Sequence, residues 1–279
     1  MELFDQPGPK ARARQRVFGA VLSIVVAGFI GLIIWRLADR GQFKPELWEP
    51  FKDPDIQRAI AEGIGATIKA AFFSIGLALI LGMLLASGRL SQAKWLHYPS
   101  LAIVEFFRAI PLLLLILFLF LGFGKNLGAL WSLILGLALY NGAVIAELIR
   151  AGVNSVPKGQ AEAAMAIGLS RGQTLRMILL PQAIRTMLPS LISQCVVALK
   201  DSALGFIIGF MELTRTMRLI YDGYHNIIPS ALVACAIYVA INSTLAAAAN
   251  WVDRRQRKRL GRNVPKVVDT QLKTGAGLA

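Results

Sequence analysis

Six runs of roughly twenty residues, each free or nearly free of charge, follow one another along this chain: 17–35, 70–88, 101–124, 127–149, 186–211 and 227–252. About twenty apolar residues in a helix cross the hydrocarbon core of a bilayer. Water is absent there, so every backbone polar group must be satisfied within its own segment or within a closed barrel. Runs this long and this uniformly apolar therefore predict an all-α membrane protein with about six transmembrane helices. The composition agrees, since only 16% of residues are charged, against roughly a quarter in soluble domains. The 30 Lys and Arg outnumber the 16 Asp and Glu. In a membrane chain that excess reports cytoplasmic loops and anionic lipid rather than nucleic acid.

The first run follows Lys10, Arg12, Arg14 and Arg16, as in a secretory signal, but it is too long for one and no Ala-x-Ala cleavage site follows it. It is expected to be a retained helix behind a cytoplasmic segment, 1–16. Residues 17–62 then comprise this helix and an external loop, 63–252 the core, and 253–279 a basic cytoplasmic tail. Counting Lys and Arg on alternate sides gives 19 in the polar segments on the N-terminal side and seven in those opposite. Both termini are therefore expected in the cytoplasm. Cys195, Cys235, His97 and His225 form no metal-ligating pattern, so no metal is expected.

The segment 150–185 has the composition of two short helices. Pro157 suits a helix start, Gln160 to Ala166 are strong helix formers, and Gly168 supplies the left-handed residue that ends a helix. Ser170 and Gln173 have the spacing of a capping box that opens a second helix, which Pro181 is expected to disrupt. Such a hairpin either docks another protein or lies on the headgroups.

Glu162-Ala163-Ala164, then Gly168, Ile178 and Leu180-Pro181, at their spacing, resemble the EAA loop of ABC importer permeases. Further stretches resemble the polar amino acid branch of that family: 105–111, 146–152, 156–160, 181–183 and 200–204. The extra first helix, the proline-rich lead and the basic tail are similar to the larger of the two permeases in actinobacterial glutamate importers. The resemblance implies a type I permease core of five helices plus one N-terminal helix, in a bacterial plasma membrane. It also implies a pair of separate ATPase subunits, a second permease subunit (identical or homologous) and an extracytoplasmic amino acid-binding protein. ATPase coupling would fall to Glu162, Ala163, Ala164, Gly168, Ser170 and Arg171. No cofactor is expected on this chain, and ATP and Mg belong to the partner. Accordingly Gly124-Lys125 is no Walker A motif, because position 119 is leucine rather than glycine. No enzyme nucleophile is visible. An ion-gradient-driven secondary transporter is the rival reading, disfavoured because such transporters usually have more helices in repeated halves.

Ionisable groups within apolar runs are costly and more often face a protein interior or an aqueous path than lipid. Glu105 and Arg108 share a helical face and either neutralise each other or contact substrate. Lys200-Asp201 interrupts the fifth run, with Ser202, Gly205 and Gly209 following, which is expected to mark a distorted helix near a substrate path. Asn141 could bond substrate or another helix equally well. Glu147 and Arg150 are expected to form a structural pair. The candidate substrate contacts are Arg108, Lys200, Asp201, Ser202, Glu105 and Asn141.

Overall fold

A computed structural model describes residues 8–261; the lead before Gly8 and most of the basic tail lie outside the described residues. The described residues divide into two compact units, one formed by 8–58 with Arg218–Val233, the other by Ala59–Met217 with 234–261. Among the described residues all regular structure is helical.

In the first unit, helix α1 spans Pro9–Asp39, with Pro9 at its first position. It thus starts within the basic lead, earlier than the apolar run alone suggests. None of its apolar stretch Ala13–Asp39 is buried, a surface suited to lipid. Two short 3-10 turns follow, Pro45–Leu47 and Glu49–Lys52. The fully buried Asn226 donates from Nδ2 to the Leu47 carbonyl (3.0 Å) and accepts from Ser230 Oγ (3.0 Å), tying this loop down.

Helix α2 spans Pro54–Leu90 and so takes up the last part of the external loop expected before residue 63. At 1.5 Å per residue it is about 55 Å long, well beyond the roughly 30 Å hydrocarbon core. Helix α3 spans Lys94–Ala109, and α4 spans Leu112–Asn154. The single third crossing expected over 101–124 is therefore corrected: Ile110 and Pro111 are extended and separate two helices. The cause is Pro111, which drives the residue before it out of the helical region.

Within α4, Gly128 has φ +71° and ψ 170°, which breaks the helix into arms 112–127 and 129–154. A Cβ on Gly136 would lie 3.3 Å from the Ile116 Cα, whereas twenty residues of straight helix would separate these positions by about 30 Å. The arms thus fold back on each other, and the reversal between the third and fourth apolar runs lies at Gly128. Among the described residues, five helices are long and apolar enough to cross a membrane, α4 counting once.

Helix α5 spans Lys158–Ala166 and is followed by a short turn, α6, at Arg171–Gln173. A π-helical segment, Thr174–Leu179, then leads directly into α7, Leu180–Asp201. The expected disruption at Pro181 does not occur. The wider π turn accommodates the carbonyls that a proline ring would otherwise strike. After Asp201 the chain tightens into a 3-10 helix, Ser202–Ile208, ending at Gly209. Helix α8 spans Leu213–Tyr224 and α9 spans Ile227–Gly261. Two apolar clusters hold the second unit together. One joins α2, α3, α4 and α7 through Ala86, Val104, Ala146, Ile149 and Met187. The other packs the two α4 arms through Ile116, Leu133 and Leu137 onto Ala70 and Ile208.

Candidate functional site

The 150–185 segment is ordered by its own hydrogen bonds. Helix α5 ends in a Schellman motif: Leu169 N–H donates to the Ala164 carbonyl (3.2 Å) and Gly168 N–H to the Met165 carbonyl (3.0 Å). That geometry requires a left-handed residue, and Gly168 has φ +87°. The capping box is present in both directions, with Gln173 N–H donating to Ser170 Oγ (3.3 Å) and Ser170 N–H to Gln173 Oε1 (2.8 Å). Ala164 is buried, while Glu162, Ala163, Met165, Ile167 and Arg171 are exposed. Gln182 Nε2 at the start of α7 donates to Gln160 Oε1 on α5 (3.2 Å), so α5 is fastened to the helix that continues beyond it. The exposed Ile167 and Met177 give this end of the unit an apolar surface that no described residue covers, a feature of interaction sites.

The six candidate substrate contacts do not gather into one site. Glu105 lies 3.6 Å from Arg108 and 3.3 Å from Arg89, the penultimate residue of α2. Arg89 also meets Glu147 near the C-terminal end of α4 (3.3 Å), where Arg150 Nε donates to both Glu147 oxygens at 3.0 Å. Glu105 and Arg108 thus belong with charges at the same end of the helices as the 150–185 segment. In the sequence Arg89 is one more cation in a polar segment between apolar runs. Three alternating charges at 89, 105 and 147 cannot be connected without knowing how the helices pack.

Asn141 is buried: its Nδ2 donates to the Leu137 carbonyl (2.9 Å), and its Oδ1 accepts from Gln194 Nε2 on α7 (2.7 Å). The bond to Gln194 is the interhelical role expected for it. Ser202 is buried and donates to the Leu199 carbonyl (2.6 Å). Lys200 is exposed and lines an open cleft of about 350 Å³ with Pro189, Ser193, Val197 and Ala246. The distortion expected beside Lys200-Asp201 is the change from α7 to 3-10 helix at Ser202.

Glu212, unnoticed in the sequence because it falls just beyond an apolar run, is completely buried. Its Oε2 and Oε1 accept the N–H groups of Thr214 and Arg215 at 2.8 Å, capping α8. The next orphan donor, Leu213 N–H, reaches Thr67 Oγ1 (3.1 Å) on α2. Burial pushes the Glu212 carboxyl above its ordinary range, against the opposing pull of these hydrogen bonds.

An ordered, partly exposed helical hairpin between long apolar helices defines a helical membrane protein. Comparison with known proteins identifies it. Residues 78–258 match the family described as binding-protein-dependent transport system inner membrane component, and the chain belongs to it as an amino acid ABC importer permease. It is 40% identical over 250 residues to the glutamate transport system permease protein GluD of Corynebacterium glutamicum, covering 85% of this chain and 92% of that one. It is 36% identical over 202 residues to the probable glutamine ABC transporter permease protein GlnP of Bacillus subtilis, covering 70% and 92%. Among solved structures, an amino acid ABC transporter crystallised with histidines matches with a TM-score of 0.67 and 30% identity, over 71% of this chain and 94% of that one.

Proposed function

We propose that this chain is a permease subunit of an ATP-driven glutamate importer, with both termini in the cytoplasm. The observation that carries the substrate is the 40% identity to a glutamate permease across 92% of that relative's length. A separate pair of ATPase subunits, holding ATP and Mg, docks on 150–185 through α5, with Glu162 and Ala163 exposed and Gly168 setting the turn. Ser170 and Arg171 open the second half of the same surface. A second permease subunit completes the path, and an extracytoplasmic binding protein delivers substrate. Closing of the ATPase pair moves α5, and with it α4 and α7, so that the path opens outward.

Among the candidate contacts Lys200 ranks first for the substrate carboxylate, because it faces an open cleft whereas Arg108 already has a carboxylate partner in Glu105. Asp201 and Ser202 shape the helix break beside it. Reconstituting the complex in liposomes tests the whole reading: glutamate uptake should require ATP and persist when ion gradients are collapsed. Uptake driven by an ion gradient without ATP would establish a secondary transporter instead.

A further inference from the structure

Arg89 is the centre of a chain of alternating charges, Arg108–Glu105–Arg89–Glu147–Arg150, drawn from α2, α3 and α4. Its Nη1 lies 3.3 Å from Glu105 Oε1 and its Nη2 lies 3.3 Å from Glu147 Oε2. Only 8% of its side chain is exposed, against 55% for Glu105 and 21% for Glu147, so the guanidinium rather than either carboxylate is the buried member. The fork of donors lets one residue hold two carboxylates in fixed directions. The backbone is held as well. The Arg89 carbonyl accepts from His97 Nδ1 on α3 at 2.8 Å. A Cβ on the preceding Gly88 would lie 1.9 Å from Ser100 Oγ, so α2 and α3 approach as closely as they do only because residue 88 is glycine.

We propose that Arg89 is a positioning residue that passes movement of the coupling loop to α2 and α3. The proposal rests on the coupling reading of 150–185 given above. Helices α4 and α7 reach that loop by chain continuity, α4 ending at Asn154 just before α5 begins at Lys158. Helix α7 is additionally joined through Gln182 and Gln160. Helices α2 and α3 have no such continuity with the loop. Glu147 stands two turns before the end of α4, so a tilt of α5 carried along α4 reaches Arg89 through the Glu147 pair, and α3 through Glu105. Separating Arg89 from either carboxylate would leave a buried cation short of a partner, which is strongly unfavourable. The elements therefore move together. Arg89 Nε is buried without an acceptor among the described residues, a donor free to take a new partner if the helices shift.

The test compares uptake of radiolabelled glutamate with ATP hydrolysis in the same proteoliposomes, holding the complete complex with binding protein. Arg89→Gln should lower uptake per ATP hydrolysed by about tenfold while hydrolysis stays within about twofold of wild type. Arg89→Lys should recover part of that ratio. Adding Glu147→Gln to Arg89→Gln should produce no further loss, because both changes remove the same link. An unchanged ratio in Arg89→Gln would overturn the proposal, as would equal falls in uptake and hydrolysis. If Arg89→Gln does not assemble, Glu105→Gln, which alters the exposed end of the link, is read by the same ratio, and an unchanged value overturns the proposal. Failure of the wild-type complex to couple any hydrolysis to uptake would instead overturn the coupling reading on which it rests.

Discussion

The hydroxyl of Tyr238 on α9 donates a 2.8 Å hydrogen bond to Glu212 Oε2, a carboxylate with no exposure that also caps α8. One acidic group therefore joins the start of one helix to the middle of another. Thr214 Oγ1 stands 3.0 Å from the same hydroxyl and closes the set. Removing the carboxylate in Glu212→Ala leaves two backbone donors and a phenol without their acceptor. The expected cost is about 2–3 kcal/mol, read as a lower melting temperature of the detergent-solubilised protein, with membrane insertion retained.

The same carboxyl gives a pH dependence with a definite sign. Its folded-state pKa is raised above the ordinary 4.5, so the folded protein holds the proton more tightly than the unfolded chain. The resulting stability is fully present below 4.5 and is lost as pH rises through the raised value. Glu212→Gln cannot titrate. The melting temperature of wild type minus that of Glu212→Gln should therefore fall between pH 4 and pH 8, and a rise would contradict the assignment of burial as the dominant effect.

Gly168 has φ +87° with no neighbour that a Cβ would strike, so Gly168→Val strains the backbone without a steric clash. A β-branched residue in that conformation costs about 1–3 kcal/mol and should unwind the Schellman motif. Uptake is expected to fall by at least about tenfold in a variant that still inserts, measured beside retention of the ATPase on purification. Normal uptake with a fully retained ATPase would remove the coupling role from this turn.

Substrate charge separates the two candidate cations. Lys200→Ala should reduce glutamate uptake about tenfold more than glutamine uptake, the expected loss of one charge-assisted contact. Arg108→Ala, whose partner is Glu105 at 3.6 Å, should reduce both equally. A glutamate-selective loss in Arg108→Ala alone would reverse the ranking.

Reporters fused after Lys52 or near Asp222 should be external, and those after Lys94 and Arg171 cytoplasmic. The basis is the excess of Lys and Arg on one side. Cytoplasmic labelling at Lys52 would show that α1 does not span.

Local chemistry made much of this protein legible in advance. Apolar runs must become helices in lipid because the backbone has no other way to satisfy itself. The capping box at Ser170 and the cap at Gly168 were readable because their partners lie within a few residues. Apolarity does not report where a pass ends. The same hydrophobic sequence can run straight or fold back, and only the conformations of Pro111 and Gly128 divide 101–149 where it divides. Pairings across helices were likewise invisible: Arg89 with Glu147, Asn141 with Gln194, and Glu212 with Tyr238 lie far apart in the chain. The sequence determined which segments are helical, how the 150–185 hairpin is capped and which charges need partners. The tertiary structure alone decided which partners they find, because that depends on distances between helices, and those follow from packing rather than from the order of residues along any one of them.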